Sequence, residues 1–142
     1  MITKCGIILV NSDNKILLGH VTNSADNVWS IPKGEFDDDI DRSNKDCALR
    51  EFKEETGLDF SNLQDKMIEL SPKIYKNKKA KLIPFVLKIN CLIEAESIVC
   101  NSLVDGKFPE IDKFKWYSYL DAIELVHHTQ KEAIEYYFKN KV

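Results

Sequence analysis

The run Arg50-Glu51-Phe52-Lys53-Glu54-Glu55-Thr56-Gly57-Leu58 constrains this chain more than any other stretch. It puts three carboxylates and a guanidinium within six positions and then stops on a glycine. On a helix turning about 100° per residue, Glu54 falls about 60° to one side of Glu51 and Glu55 about 40° to the other. Arg50 stands one turn before Glu54, close enough to pair with it. Ala48, Leu49, Phe52 and Thr56 fall on the far side, where a helix meets a core. The segment is therefore expected to be a helix with one acidic face and one packed face. Crowded like charges destabilise a fold unless something positive neutralises them, and a hard divalent cation with oxygen ligands does so. A solvated surface of i,i+4 charges is the alternative that the pattern leaves open.

Bulk composition narrows the setting. A chain of 142 residues, 44% hydrophobic and 30% charged, is expected to form a single domain over residues 1–142 with a proper core. The net charge of −3 supplies no global basic field for nucleic acid or anionic membrane. No apolar stretch approaches the length of a bilayer span, and the N-terminus lacks a signal-peptide layout. Cys5, Cys47, Cys91 and Cys100 form no CxxC and no Cys/His cluster, so they read as small buried hydrophobes in a reducing compartment. A cytoplasmic location is expected.

Hydrophobic periodicity organises the rest. Thr3 to Asn11 and Lys15 to Thr22 read as a hairpin about the turn Ser12-Asp13-Asn14, and Val28 to Ile31 as a short strand stopped by Pro32. Ser43, with Asp46 three residues on, opens a helix from about Asn44 to Thr56, which Gly57 closes. Met67 to Tyr75 and Lys81 to Ile93 alternate as strands around a turn at Lys76 to Lys79, and Phe114 to Tyr117 is another strand. Ser118 with Asp121 opens a helix to about Val126. Thr129 with Glu132 opens a terminal helix with Ala133, Ile134, Tyr137 and Phe138 in one stripe. This order implies an α+β fold with helices packed on a mostly antiparallel or mixed sheet.

The opening run resembles the second half of a Nudix box, G-x5-E-x7-R-E-U-x-E-E-x-G-U, matched here by Arg50, Glu51, Phe52, Glu54, Glu55, Gly57 and Leu58. The preceding Trp29-Ser30-Ile31-Pro32-Lys33-Gly34-Glu35 resembles the approach to that box in a subgroup that includes diadenosine tetraphosphate hydrolases. Phe108 to Asp112 leading to Trp116, then Ser118 to Ala122, resembles that subgroup's later strand and helix. The first half of the box departs from the pattern. Gly34 to Arg50 is two residues longer than the family spacing, and Arg42 stands eight before Arg50 where a glutamate belongs. That glutamate, which supports the box through polar contacts, is either missing or replaced by an aspartate such as Asp39 or Asp41.

The resemblance implies an α/β/α sandwich, a mixed sheet flanked by helices, and hydrolysis of a nucleoside diphosphate linked to another group with Mg2+ or Mn2+. It implies Glu51 and Glu55 as central metal ligands, with Glu54, Glu110 and the Gly34 carbonyl adding to the set. Glu51, Glu54 and Glu110 carry the catalytic expectation, and Glu110 is a candidate to take a proton from water. Asp112, Glu94 and Glu96 are weaker competitors. Lys33 is expected to meet a substrate phosphate as a point charge. Arg50 is placed at the substrate too, although orienting Glu51 or Glu54 suits it better. Tyr75, Phe85 and Tyr117 are candidates to stack on a base, or else core residues.

The expected partner is a small nucleotide, a dinucleoside polyphosphate ahead of nucleotide sugars or modified nucleoside triphosphates, with neither nucleic acid nor membrane. The rewritten half of the box motivates a second reading, a catalytically weak Nudix-fold nucleotide-binding or regulatory module. Three other features carry weaker signals. Asp37, Asp39 and Asp41 alternate like a calcium loop, but Arg42 and Ala48 occupy the positions that need glycine and glutamate. His127-His128 reads as a helix-terminal pair, and the lysines from Lys73 to Lys81 read as a solvated basic turn.

Overall fold

The computed structural model describes residues 1–140, so the expected domain over 1–142 runs two residues past the described part. Ten strands and three α-helices follow in the order β1 (Ile2–Val10), β2 (Ile16–Val21), β3 (Trp29–Ser30), β4 (Lys33–Glu35), α1 (Asn44–Thr56), β5 (Ile68–Glu69), β6 (Lys73–Ile74), β7 (Ala80–Lys88), β8 (Leu103–Val104), β9 (Phe108–Pro109), β10 (Ile111–Tyr117), α2 (Tyr119–Leu125) and α3 (His128–Asn140). The main sheet is mixed, in the order β10-β2-β1-β7-β5, with β1 and β7 parallel and the other pairs antiparallel. Strands β3 and β4 add to β2 and β1, and β6 adds to β7.

Helices cover both faces, which explains why β1 reads as an unbroken apolar run instead of an alternating one. Cys5, Ile7 and Leu9 point to one face, where they pack with Cys47, Ala48 and Phe52 of α1. Ile8 and Val10 point to the other, against Ala122 of α2 and Ala133 and Ile134 of α3. Each fully buried Phe, Leu or Ile in these layers contributes about 2–3 kcal/mol of transfer free energy. The result is the expected sandwich. Among the described residues, no helix is long and apolar enough to cross a membrane.

Local chemistry accounts for the element ends. Ser43 sits in extended backbone and accepts the Asp46 amide at 3.1 Å, capping α1. Gly57 takes φ 77°, a conformation costly for any residue with a Cβ, and returns its amide to Lys53 at 2.8 Å.

Several boundaries differ from the sequence expectation. The stretch Met67–Tyr75 is two short strands, because both pair with β7 across Pro84. The Leu70 amide bonds to the Pro84 carbonyl at 2.9 Å, so the ring nitrogen of Pro84, which carries no hydrogen, faces the same edge and interrupts the ladder. β7 ends at Lys88 instead of Ile93, and β10 begins at Ile111, three residues before Phe114. β4, the small β8–β9 hairpin and 3-10 turns at Ser61–Lys66 and Ala95–Ser97 were not expected. The terminal helix starts at His128, and the His127 ring, not Thr129, accepts the first free amide, that of Thr129, at 3.3 Å. Cys91 is exposed while the other three cysteines are buried.

Candidate active site

Strand β4 and helix α1 build the acidic centre together. β4 lies against β1 with Cys5 opposite Gly34, and the Glu51 carboxylate rests directly on Gly34. A Cβ added at Gly34 would lie 1.9 Å from Glu51 Oε2, so only glycine leaves room for that carboxylate. Across from it, the base of the β8–β9 hairpin brings Ser102 and Glu110. The Glu110 amide bonds to the Ser102 carbonyl at 2.9 Å, the Asn101 amide to the Glu54 carbonyl at 3.0 Å, and the Thr22 amide to the Glu110 carbonyl at 3.0 Å. Residues distant in sequence are thereby pinned to the end of α1. Lys4, Lys33, Gly34, Glu35, Glu51, Glu54, Ser102 and Glu110 line one cleft of about 330 Å³. Glu55 lies just behind its wall, 4% exposed.

Charge in this cleft is unbalanced. Burial pushes the Glu51 carboxyl above its ordinary range, and Glu54 and Glu110 push it further, while Arg50 opposes them. Burial raises Glu55 most strongly, with Glu110 and Glu51 adding to it and the charge and backbone amide of Lys33 opposing. The sequence-predicted carboxylates Glu51, Glu54, Glu55 and Glu110 are thus brought together. Asp112 is not one of them: its carboxylate pairs with His20 Nδ1 at 2.8 Å, and the other His20 nitrogen meets the Ala25 carbonyl. Glu94 and Glu96 lie by a separate surface groove beside Trp116.

Arg50 is spent on the protein. Its Nε and Nη2 donate to the two Asp41 oxygens at 2.9 and 2.8 Å, Nη1 donates to Glu51 at 3.0 Å and to Glu54 at 3.2 Å, and Nη2 also reaches the Glu35 carbonyl at 3.0 Å. A guanidinium has five N–H groups, and these contacts engage all five. The expected substrate contact for Arg50 gives way to a positioning role. Of the loop aspartates considered for the missing glutamate's place, the one that pairs with Arg50 is Asp41. Its side chain is 2% exposed, accepts the Asp37 amide at 2.9 Å, and is held below its ordinary range by the Arg50 guanidinium against the cost of burial. Asp39 instead donates its amide to the Asp37 side chain in the exposed part of the loop.

The Gly34 carbonyl is also committed. The Ile7 amide bonds to the Pro32 carbonyl and the Phe36 amide to the Thr3 carbonyl, so the alternation of an antiparallel ladder makes Cys5 and Gly34 a hydrogen-bonded pair. That turns the Gly34 carbonyl toward β1, where the Cys47 thiol also reaches it at 3.8 Å. The neighbouring Lys33 carbonyl points away from β1, on the same side as the Glu35 carbonyl that accepts Arg50. Glycine at 34 serves by lacking a side chain; the carbonyl that faces outward belongs to Lys33.

As they stand, no three His, Cys, Asp or Glu side chains among the described residues converge as a preformed ion cage. What the cleft offers is a set of hard oxygen donors with excess negative charge, the chemistry that suits Mg2+ or Mn2+.

Lys4 and Lys33 also line a second, mostly apolar pocket of about 360 Å³, with Val28, Trp29, Tyr75, His127 and Gln130. The Tyr75 ring stacks on His127 at 4.9 Å between centroids, and Lys4 Nζ sits 5.1 Å from the Tyr75 centroid. Tyr75 Oη is buried with no hydrogen-bond partner among the described residues. Gln130 ties the wall together by accepting the Ile31 amide at 2.9 Å and donating to Ser30 at 3.1 Å. Of the three rings considered from sequence, only Tyr75 lines the pocket. Phe85 is fully buried in the core, and Tyr117 packs edge-on against Trp29 behind it. Lys4, Gln130 and Ser102 were missed. An isolated lysine in a strand and a glutamine in a helix carry no local signal.

The sandwich, the box helix and the carboxylate cleft together define one class of fold. The NUDIX domain model matches residues 3–138, and the chain belongs to that family. It is 31% identical over 130 residues, 91% of its length, to the m7GpppN-mRNA hydrolase of Saccharomyces cerevisiae, and spans 12% of that relative. In fold it is similar to the NUDIX domain of Shewanella oneidensis NrtR complexed with ADP ribose, with TM-score 0.74, 14% identity, and coverage of 100% of this chain and 89% of that one. It is similar also to a C. elegans Ap4A hydrolase, with TM-score 0.64, 16% identity and 96% of each chain covered. At these identities the structures share the fold, and the diadenosine tetraphosphate hydrolase subgroup is not set apart from its neighbours.

Proposed function

We propose that this domain hydrolyses the phosphoanhydride of a nucleoside diphosphate linked to a second group, in a manner dependent on Mg2+ or Mn2+. The observation that carries the reading is a single cleft in which Glu51, Glu54 and Glu110 face Lys4 and Lys33 beside Gly34, with the two lysines shared with an aromatic pocket. A diphosphate bridging the two compartments meets cations at the junction, and its nucleoside meets Tyr75, His127 and Trp29. The bound metal supplies charge neutralisation and a more acidic water. Glu51, Glu54 and Glu55 would hold it, with Glu110 and the Lys33 carbonyl at the rim of the same set. Glu110, which lines the same cleft as Glu51 and Glu54, would accept the proton of an attacking water. Arg50, fixed by Asp41, keeps Glu51 and Glu54 aimed.

A dinucleoside polyphosphate or another diphosphate-linked nucleotide fits this layout. Similar proteins include an m7GpppN-mRNA hydrolase, an Ap4A hydrolase and a NUDIX domain complexed with ADP ribose, all of which handle nucleotides of this chemical class. The binding-module alternative drew its support from the lost loop glutamate. Asp41, paired with Arg50, supplies polar contacts to the box from that loop, which favours the hydrolase reading.

The test is a panel of such nucleotides with product identification at saturating magnesium, run on wild type, Glu51→Gln and Glu55→Gln. Turnover lost in both variants supports the reading. Hydrolysis left intact in both sinks it, and tight binding without turnover by wild type returns the module reading.

A further inference from the structure

We propose that His20 is a positioning residue that sets two walls of the candidate site at once, holding a bulge in β10 with one ring nitrogen and the β2–β3 loop with the other. The proposal rests on the reading of Glu110 as the proton acceptor and of the Trp29 pocket as the nucleoside site.

His20 lies in the middle of three strands, opposite Trp29 of β3 on one side and Lys113 of β10 on the other. It is buried, and both ring nitrogens are engaged: Nδ1 meets Asp112 Oδ1 at 2.8 Å, and Nε2 donates to the Ala25 carbonyl at 2.9 Å. The first contact locks an irregularity in β10. Lys113 pairs with His20 and Ile111 with Val21, so two steps on β10 answer one on β2, and Asp112 is the extra residue of a bulge. The core records its effect. Ile111 and Phe114, three positions apart, pack in the same hydrophobic cluster, where a regular strand would send them to opposite faces. Gly19 makes room for both, since a Cβ there would lie 2.5 Å from Ile111 Cγ2 and 3.1 Å from Phe114 Cε1. Without the extra residue the phase would reverse, turning Ile111 out of that core and Glu110 into it. The bulge thereby leaves Glu110 free to line the cleft.

The second contact fixes the loop that carries the aromatic wall. The Ala25 carbonyl accepts the Val28 amide at 3.1 Å as well as His20, and the Asp26 carbonyl accepts the Trp29 indole at 2.7 Å. The His20 ring meets Trp29 edge-on, with centroids 5.4 Å apart. Asn27, Val28 and Trp29 from this stretch line the aromatic pocket. Thr22 joins the two halves, with its amide on the Glu110 carbonyl at 3.0 Å and its hydroxyl on the Pro109 carbonyl at 2.6 Å. One buried side chain thus holds the Glu110 strand and the Trp29 loop in a single frame. A misplacement of about 1 Å can cost about 10²-fold in rate, so the frame bears directly on turnover.

The two contacts separate by substitution, because an asparagine amide can take the place of Nδ1 as a donor and a glutamine amide that of Nε2. Kinetics at saturating magnesium use diadenosine tetraphosphate or ADP-ribose, whichever wild type cleaves faster. His20→Gln, which keeps the Ala25 contact, is expected to lower kcat by about 10- to 10²-fold with KM as in wild type. His20→Asn, which keeps the Asp112 contact, is expected to raise KM several-fold and retain most of kcat. Asp112→Ala should lower kcat as His20→Gln does and cost nothing more when combined with it. Backbone amide exchange followed by mass spectrometry reads the same contacts without turnover. It should quicken around Glu110 in His20→Gln and around Val28 in His20→Asn, and stay as in wild type elsewhere. Kinetic constants unchanged in both amide variants, or kcat and KM moved alike in both, overturn the proposal. A wild type that cleaves neither probe counts against the hydrolase reading alone, and exchange then decides: the local pattern upholds the role of His20, while an unchanged or uniform one overturns it.

Discussion

Asp41 and Glu55 are both carboxylates of the same motif and are almost equally buried, at 7% and 4% exposure, yet the fold pushes them in opposite directions. Asp41, from the loop half, receives a bidentate guanidinium and a backbone amide and is held ionised. Glu55, from the helix half, is left among Glu51 and Glu110 with only Lys33 to oppose them, and its ionised form is disfavoured. Burial costs both groups. The difference is whether the protein supplies the opposite charge itself. The loop carboxylate is satisfied internally and serves stability. The helix carboxylates carry more negative charge than Arg50 and Lys33 offset, an imbalance that a bound divalent cation would relieve.

The largest test of this contrast is on turnover. Glu51→Gln and Glu55→Gln should abolish most hydrolysis, and Glu110→Gln should lower kcat by on the order of 10²–10⁴ in a steady-state assay. Removing a repelled charge should at the same time leave the metal-free melting temperature unchanged or raised for Glu55→Gln. A drop of several degrees there would mean that Glu55 is structural.

Asp41→Asn should behave in the converse way, costing about 3 kcal/mol in denaturant unfolding by leaving Arg50 half-paired. The pH dependences separate the two halves as well. Asp41 has a folded pKa below its ordinary 3.8, so its contribution is fully present above that value and is lost as pH falls through the folded pKa. The Asp41→Asn melting curve should accordingly be flatter below pH 4. Glu51 and Glu55 have folded pKa values above 4.5, so between that value and their folded pKa the folded state binds more protons than the unfolded one. Metal-free stability should then decline as pH rises through this window, and the magnesium-induced rise in Tm should grow over the same range. A magnesium effect independent of pH would break the comparison.

The smallest effect lies at the joint between the halves. Ser43→Ala removes the α1 cap and should cost about 1 kcal/mol in thermal or chemical unfolding, with kcat nearly unchanged. A large loss of kcat would show that the cap helps to aim Glu51.

Legibility divided along the same line. Helix α1 was readable to the residue, because Ser43, Asp46 and Gly57 act on their own neighbours and the packed stripe of Ala48, Phe52 and Thr56 is a local period. β1, β2 and the mixed sandwich followed from apolar runs. The break between β5 and β6 was not readable, since it depends on Pro84 in a different strand. Glu110 was found by its distance from Trp116, but nothing in its neighbours showed the wall it would face.

By itself, then, the sequence determined the box helix, the order of its carboxylates, and the charge they carry, because backbone propensity, capping and helical period act over a few residues. Only the tertiary structure decided which loop aspartate meets Arg50, which carbonyl of β4 faces outward, and that Lys4 and Tyr75 share a pocket with His127. Those outcomes depend on strand pairing and chain closure between residues tens of positions apart, and no local pattern encodes which partner a long-range contact will find.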